Sequence, residues 1–144
     1  MSEPPPITSV ADLQALIQRP PYHEFLAVEA VAVDAKAGAV TILLPFRADF
    51  ARRHDAPEIH GGITAALIDL AGVYAVAVAC GVRAVPTIQL SINYLRMARA
   101  TDLTAHARAI KLGRTIAVAD IEVCDAGERL IAVGRGAFST AGAR

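Results

Sequence analysis

The sequence predicts an α+β domain in which a six-stranded, largely antiparallel sheet wraps around one long helix. The stretch Gly61–Val82 is almost entirely apolar, and its larger side chains recur at helical spacing. Six further segments are rich in β-forming residues, and the last four of them are joined by connections too short for parallel crossovers. A helix that is apolar nearly all round has to be covered by a sheet.

The chain begins with a predicted tail, Met1–Pro6, and a short helix, Val10–Gln18. Thr8 or Ser9 can cap this helix, and Arg19-Pro20-Pro21 ends it. No basic segment is followed by an apolar run, so we expect no signal peptide and a cytoplasmic protein. We divide the chain into this N-terminal part, residues 1–20, and a single domain, residues 21–144.

Two strands come next, joined by a turn in which Gly38 supplies a positive φ. The charged, proline-containing stretch Pro45–Ile59 is expected to be a loop that leads into the long helix, which Gly81 ends. Gly134-Arg135-Gly136 is expected to be a bend or bulge. The six strands are expected at Phe25–Asp34, Ala39–Leu44, Thr87–Tyr94, about Asp102–Ile110, Thr115–Cys124 and Arg129–Ser139, with the last turns at 111–114 and 125–128.

Strict alternation along Thr87–Tyr94 predicts one buried and one wetter face. Ile88, Leu90, Ile92 and Tyr94 would form the buried face. Thr87 would lie on the wetter face, together with Gln89, Ser91 and Asn93.

The composition excludes several classes of function. Fourteen Lys and Arg residues balance fourteen Asp and Glu residues, and Trp is absent. A nucleic-acid partner would leave a basic excess, so none is expected. Cys80 and Cys124 are too few for a disulfide framework and have no metal-binding spacing. The high content of Ala and Val suits tight packing and self-association, so a homo-oligomer is expected.

Asp69 is the only charged residue of the long helix. Burial of an unpaired carboxylate is costly, so Asp69 either pairs with a buried Arg as a structural ion pair or faces a cleft that substrate and water reach. The helix approaches the length of a membrane span, but Thr64, Asp69 and the flanking glycines argue against one.

The segment from His60-Gly61-Gly62 to Asp69 resembles the HGG…D signature of hotdog-fold acyl-CoA thioesterases, in the phenylacetate-degradation-type branch of the 4-hydroxybenzoyl-CoA thioesterase superfamily. The resemblance extends over about Phe25–Ser139, and the inferred element order is that of the fold. It implies that residues 21–144 form one hotdog thioesterase domain.

The resemblance also implies site residues. The family acid, a nucleophile or general base, falls on Asp69, and the backbone N–H that binds the thioester carbonyl falls on Gly61. The family histidine falls on His60, which general considerations favour as a structural residue. A hydroxyl residue that orients water falls on Thr87. His54 stands where the family often has Asn, and Pro57 stands where Gly is common.

Helix geometry places the two ends of this motif apart. Nine residues separate His60 from Asp69, which corresponds to roughly 13 Å and half a turn. One carbonyl therefore cannot touch both within one chain, and we expect Asp69 of one subunit to work with the helix start of another. A homodimer, or a tetramer built from two dimers, is the expected assembly.

The expected activity is hydrolysis of an aromatic or a short- to medium-chain acyl-CoA, with coenzyme A as part of the substrate and no other cofactor. The alternative is a non-catalytic protein that binds acyl-CoA or an acyl carrier; a thioester hydratase would need a different arrangement of His and acid. A zinc site at His54, Asp55 and His60 lacks a further ligand, and no membrane partner is expected. The candidates for binding the phosphates of coenzyme A are Arg52, Arg53, Arg96, Arg99, Lys111 and Arg114.

Overall fold

The computed structural model describes residues 5–143. Three α-helices occupy this part of the chain: α1 at Val10–Ile17, α2 at Pro21–Leu26 and α3 at Gly61–Cys80. The strands are β1 at Glu29–Asp34, β2 at Ala39–Leu44, β3 at Ala51–Arg53, β4 at Ala56–Ile59, β5 at Thr87–Tyr94, β6 at Leu103–Leu112, β7 at Ile116–Asp125 and β8 at Leu130–Ser139. The predicted tail falls largely on residues outside the described range.

Six strands form one antiparallel sheet in the order β1-β2-β6-β7-β8-β5. The sheet wraps around α3, which packs against five of its strands. The predicted fold class is therefore confirmed. β3 and β4 form a separate small hairpin just before α3.

Helix α3 lies in the centre of the hydrophobic core. It is long and apolar enough to cross a membrane by length and composition, but Leu67, Ile68 and Ala71 are fully buried within the fold, as in a core helix. Close contact with the sheet requires glycine at Gly134, where an added Cβ would lie 2.5 Å from the Ile68 side chain. The strand ladder has no register shift there, so the bulge predicted at 134–136 is wrong. Gly134 lets the sheet approach the helix, and Gly136 leaves room for the ring of Phe138.

The chain contains, directly after residue 20, a helix that the sequence did not predict. Phe25 and Leu26 were expected in the first strand, but they belong to α2, which Pro21 starts at a position where proline is favoured. Ala27, with a φ of 55°, ends α2, and the strand begins only at Glu29. The predicted first helix is confirmed, with Ser9 as its cap.

The segment 45–59 is more regular than predicted. It contains a single 3₁₀ turn, Ala48–Phe50, and the hairpin of β3 and β4. Ion pairs from Arg52 and Arg99 to the buried Glu58 hold this hairpin in place. The other predicted strands are confirmed to within about three residues, although β6 extends through Leu112 into the expected turn.

The two edges of the sheet differ. Helix α1 packs along β1, and the Gln14 side chain accepts a hydrogen bond of 2.7 Å from the edge N–H of Ala30. Within residues 5–143, no strand pairs with the outer edge of β5, and large apolar side chains are exposed on β5 and just beyond it. These are Ile88, Tyr94, Leu95 and Met97.

Candidate active site

Asp69 lies half-buried on α3 and faces the start of β5. Its Oδ1 atom accepts a hydrogen bond of 2.7 Å from the Thr87 hydroxyl. None of the five ion pairs found between residues 5 and 143 involves Asp69. The partner of this carboxylate is therefore a hydroxyl at the exposed edge of the sheet, and the structural ion pair with a buried Arg is not formed.

Thr87 reaches Asp69 because of an irregularity in β5. It pairs with the buried Phe138 of β8, the next pair is Gln89 with Ala137, and Ile88 is the extra residue between them. Directly paired residues point to the same face of a sheet, so Thr87 lies on the inner face, towards α3. The prediction that it lies on the wetter face with Gln89 was wrong, because the sequence pattern does not reveal the bulge.

The start of α3 presents one free backbone donor. The His60 ring is the cap of the helix, and its Nδ1 atom accepts a hydrogen bond of 2.8 Å from the Gly62 N–H. The Ile63 N–H bonds to the His60 carbonyl at 2.9 Å. Within the described part of the chain the Gly61 N–H has no acceptor. This donor can therefore bind an external oxygen, and the helix dipole strengthens it.

His60 and Gly62 have different roles at the start of α3, since the His60 ring is the cap and Gly62 leaves room for it. A neutral ring that accepts at Nδ1 carries its proton on Nε2. An added Cβ at Gly62 would lie 2.9 Å from His60 Nδ1, so glycine leaves room for the cap.

Tyr94, at the other end of β5, is a contact that the sequence analysis missed. Its hydroxyl donates a hydrogen bond of 2.8 Å to the Gly61 carbonyl, and its ring lies 3.4 Å from where a Cβ on Gly61 would be. The sequence placed Tyr94 on a buried face, whereas its side chain is 53% exposed. A tyrosine among aliphatic residues was the available signal, since its hydroxyl needs a partner.

His23 on α2 is a second neighbour of the site that the sequence did not single out. Its Nδ1 atom lies 3.1 Å from the Ile17 carbonyl, and its ring meets the edge of Tyr74 on α3. Burial lowers the pKa of His23 below its usual value of 6.5, although the charge of Asp69 acts in the opposite direction. The Asp69 carboxylate is thus within electrostatic range of an imidazole.

His54 lies at the exposed tip of the β3–β4 hairpin. It lines a cavity of about 650 Å³ together with Arg52, Arg53 and Asp55. No hydrogen bond among the described residues joins it to Asp69 or Gly61. Within one chain, therefore, the structure does not connect His54 with the other predicted site residues, and Pro57 lies on the same hairpin.

The predicted phosphate-binding residues are partly engaged. Arg52 and Arg99 contact Glu58, and Arg53 contacts Asp55. Arg96 donates to the Leu130 carbonyl at 2.8 Å. For the described residues, no three His, Cys, Asp or Glu side chains are grouped closely enough to hold a metal ion.

Strand β5 contacts both ends of the motif on α3, one from each end of the strand. Thr87 contacts the acid of α3 and Tyr94 contacts the first residue of α3. Eight residues of helix, about 12 Å, separate Gly61 from Asp69.

The sequence model of the family described as "Thioesterase superfamily" matches residues 58–132, which include the acid, the helix start and most of the sheet. The chain belongs to the thioesterase superfamily. As a member of this family it is a thioester hydrolase, and its hotdog fold is the one expected from the HGG…D motif. A protein of Halobacterium salinarum named "Putative esterase" is 40% identical over 127 residues, which cover 81% of this chain and 83% of the relative.

Solved structures of thioesterases have the same fold. A thioesterase from Haemophilus influenzae is 25% identical, with a TM-score of 0.80 over 92% of this chain and 90% of that one. The PaaI protein of the phenylacetic acid degradation operon of Escherichia coli is 24% identical, with a TM-score of 0.75 over 87% of each chain. At 24% identity, this second likeness shows only that the two chains share a fold.

Proposed function

We propose that this protein hydrolyses the thioester of an aromatic or short- to medium-chain acyl-CoA, and that it does so as a homodimer with sites shared between subunits. The observation that carries the proposal is the pairing of Asp69 with Thr87 at one end of β5 and the free Gly61 N–H at the other. A carboxylate and an oxyanion donor are the two groups that thioester hydrolysis requires.

In the proposed reaction the thioester oxygen accepts a hydrogen bond from the Gly61 N–H. Asp69 either removes a proton from the attacking water or attacks the carbonyl carbon itself, and the negative charge moves onto the carbonyl oxygen beside Gly61. Collapse of this intermediate breaks the carbon–sulfur bond and releases coenzyme A. If water attacked, Asp69 returns the proton to the thiolate and the acyl group leaves as the free acid. If Asp69 attacked, solvent water protonates the thiolate, and a further water hydrolyses the acyl–Asp69 anhydride and restores the carboxylate. Thr87 holds Asp69 in the orientation that this attack requires.

The open edge at β5 supplies the geometry for the shared site. If β5 pairs antiparallel with β5 of a second copy, the Thr87 end of one strand lies beside the Tyr94 end of the other. Asp69 then approaches Gly61 of the partner subunit, which removes the separation of about 12 Å within one chain. The exposed apolar side chains around β5 would be covered by the same contact.

His54 is proposed to act across the same interface, as a hydrogen-bond donor to the thioester. Its position at a hairpin tip, with no partner among the described residues, leaves it available for this role. The arginines of the hairpin are candidates for contact with the phosphates of coenzyme A. No cofactor or metal is needed for this chemistry, and we propose a cytoplasmic location.

Two substitutions at opposite ends of the motif test the shared site. Asp69→Asn should reduce kcat at least about a hundredfold, because it removes the base or nucleophile. Gly61→Pro should reduce kcat by a similar factor, because proline is tolerated at the first helical position but lacks the N–H. Gly61→Ala is the matched control, since it adds a Cβ and keeps the N–H.

The two inactive variants are then mixed under conditions that exchange subunits. Half of the dimers become heterodimers in which one site combines an intact Asp69 with an intact Gly61, so about a quarter of the parental activity should return. Formation of heterodimers without recovery would place both groups in a single-chain site. Unchanged hydrolysis of an acyl-CoA panel by folded Asp69→Asn would overturn the assignment of the acid.

The departure of His54 and Pro57 from the family pattern was the reason for the alternative considered from the sequence, a binding protein without turnover, which membership of the thioesterase superfamily argues against. Such a protein would bind a non-hydrolysable acyl-CoA analogue, yet release no thiol from any member of the panel. Release of coenzyme A that depends on Asp69 would exclude it.

A further inference from the structure

We propose that Tyr94 is a positioning residue, whose hydroxyl holds the first turn of α3 so that the Gly61 N–H points towards the thioester. This inference rests on the proposed function. It concerns a residue that makes no bond to the reacting carbonyl itself and acts through the backbone of Gly61.

The first turn of α3 needs external support. It starts with Gly61 and Gly62, which have no side chains to pack and lose more backbone freedom on folding than other residues. Helix ends fray readily. A frayed first turn would leave the Gly61 N–H without a fixed direction, and a donor that must reorient during the reaction stabilises an oxyanion less.

Three hydrogen bonds from outside the helix provide this support. The His60 N–H donates to the Phe50 carbonyl at 2.8 Å, and the His60 ring accepts from the Gly62 N–H at 2.8 Å. The third bond, from the Tyr94 hydroxyl to the Gly61 carbonyl at 2.8 Å, is the one made by the sheet. A carbonyl oxygen has two lone pairs, so this bond is compatible with the helical bond from four residues further on.

The Tyr94 ring contributes to the same arrangement. It packs over Gly61, within 3.4 Å of the position of an added Cβ. The register of β5 against β8 pairs Tyr94 with Ala132 and points the ring to the inner face. The hydroxyl and the ring are therefore separable by mutation.

Tyr94→Phe removes the hydroxyl and keeps the ring. The matched control is Tyr22→Phe, because Tyr22 is 54% exposed against 53% for Tyr94, and no hydrogen bond of its hydroxyl is found in the described part of the chain. We expect kcat for acyl-CoA hydrolysis to fall roughly three- to tenfold in Tyr94→Phe, the effect of one hydrogen bond, with KM changed less than about twofold. Tyr22→Phe should match the parent in both constants.

A second measurement does not depend on turnover. Amide hydrogen exchange at Ile63, Thr64 and Ala65, in the first turns of α3, should become faster in Tyr94→Phe than in Tyr22→Phe, while exchange in the second half of α3 stays unchanged. Faster exchange together with the fall in kcat supports the proposal. Unchanged exchange in the first turns overturns it, whether or not the parent hydrolyses acyl-CoA.

An active parent with equal kcat in Tyr94→Phe also overturns the proposal, as does an equal increase in exchange along the whole helix, which would indicate general destabilisation. A parent that hydrolyses no acyl-CoA overturns the proposed function instead, and the exchange data still decide whether Tyr94 orders the helix start.

Discussion

The two edges of the six-stranded sheet are completed in opposite ways. At the β1 edge, helix α1 covers the strand, its residues Leu13 and Ile17 are fully buried, and Gln14 satisfies the backbone N–H of Ala30. At the β5 edge no helix formed by residues 5–143 intervenes. Thr87 contacts Asp69 and Tyr94 contacts the first residue of α3 from a strand that is largely exposed.

An uncovered strand edge is a template for another strand, and proteins usually protect such edges. The described part of the chain protects one edge and leaves the other bare, beside the residues of the candidate active site. The difference supports a division of roles in which the β1 edge stabilises the single chain, whereas the β5 edge serves the proposed dimer and its shared site.

The largest expected effect comes from placing charge on the bare edge. Combined substitution of Gln89→Lys, Ser91→Lys and Asn93→Lys puts like charges opposite each other in an antiparallel pairing of two β5 strands. We expect a monomer in sedimentation experiments and a loss of thioesterase activity of at least about a hundredfold, because like-charge contacts cost several kcal/mol. Val31→Lys on the exposed β1 edge is the control and should remain an active oligomer. A monomeric triple variant with full activity would contradict the shared site.

A smaller effect is expected from the hydroxyl at the start of β5. Thr87→Val keeps the shape of the side chain and removes the bond to Asp69, so kcat/KM should fall about ten- to a hundredfold, as for a hydrogen bond to a charged group. Thr87→Ser keeps the hydroxyl and should retain most of the activity. Equal kcat/KM in the Val and Ser variants would show that Asp69 needs no orienting partner.

At the protected edge, the expected effect is on stability and not on activity. Gln14→Leu leaves the Ala30 N–H without its acceptor and should lower the free energy of unfolding by about 1–3 kcal/mol, measured by urea denaturation. Gln14→Glu keeps an acceptor oxygen and should be milder. If Gln14→Leu reduces kcat while leaving stability unchanged, the separation of roles between the two edges is wrong.

The smallest expected effect is a dependence of stability on pH where α2 contacts α3, at His23. Burial lowers the pKa of His23 below 6.5, so the folded protein binds a proton less readily than the unfolded chain. The stability that depends on a neutral His23 is fully present above about pH 6.5 and is lost as the pH falls below that value. Between about pH 7.5 and about pH 5, the parent should therefore lose more stability than His23→Gln. The exposed His106 provides the control, His106→Gln, and a parent that parallels His23→Gln would refute the prediction.

The sequence was sufficient to predict the six main strands and the central helix, because each has a long periodic pattern or clear turn residues. It was not sufficient for α2, β3 and β4. These elements are three to six residues long, too short for a period to be recognised, and the apolar pair Phe25-Leu26 is compatible with either a strand or a helix. Pro20 and Pro21 were expected only to end the preceding helix, whereas Pro20 is the cap of α2 and Pro21 is its first residue.

The motif gave the positions of Asp69, His60 and Gly61 directly, but not their partners. The Tyr94 contact depends on how β5 lies against α3, which is a tertiary relation between residues 33 positions apart. The position of His23 depends likewise on the docking of α2 against α3. The roles of these residues, and that of His54 above all, stay predictions until the variants are measured.

The extra residue Ile88 also bears on how this sequence compares with its relatives. Insertions inside strands normally turn every following side chain to the opposite face, yet here the bulge absorbs the insertion and the strand keeps its phase on both sides. A relative without the extra residue would alternate regularly and still direct its hydroxyl towards the helix. When the hydroxyl of such a relative is sought, strand pairing is therefore a safer guide than the column of an alignment, where a gap of one residue can be placed on either side of Thr87.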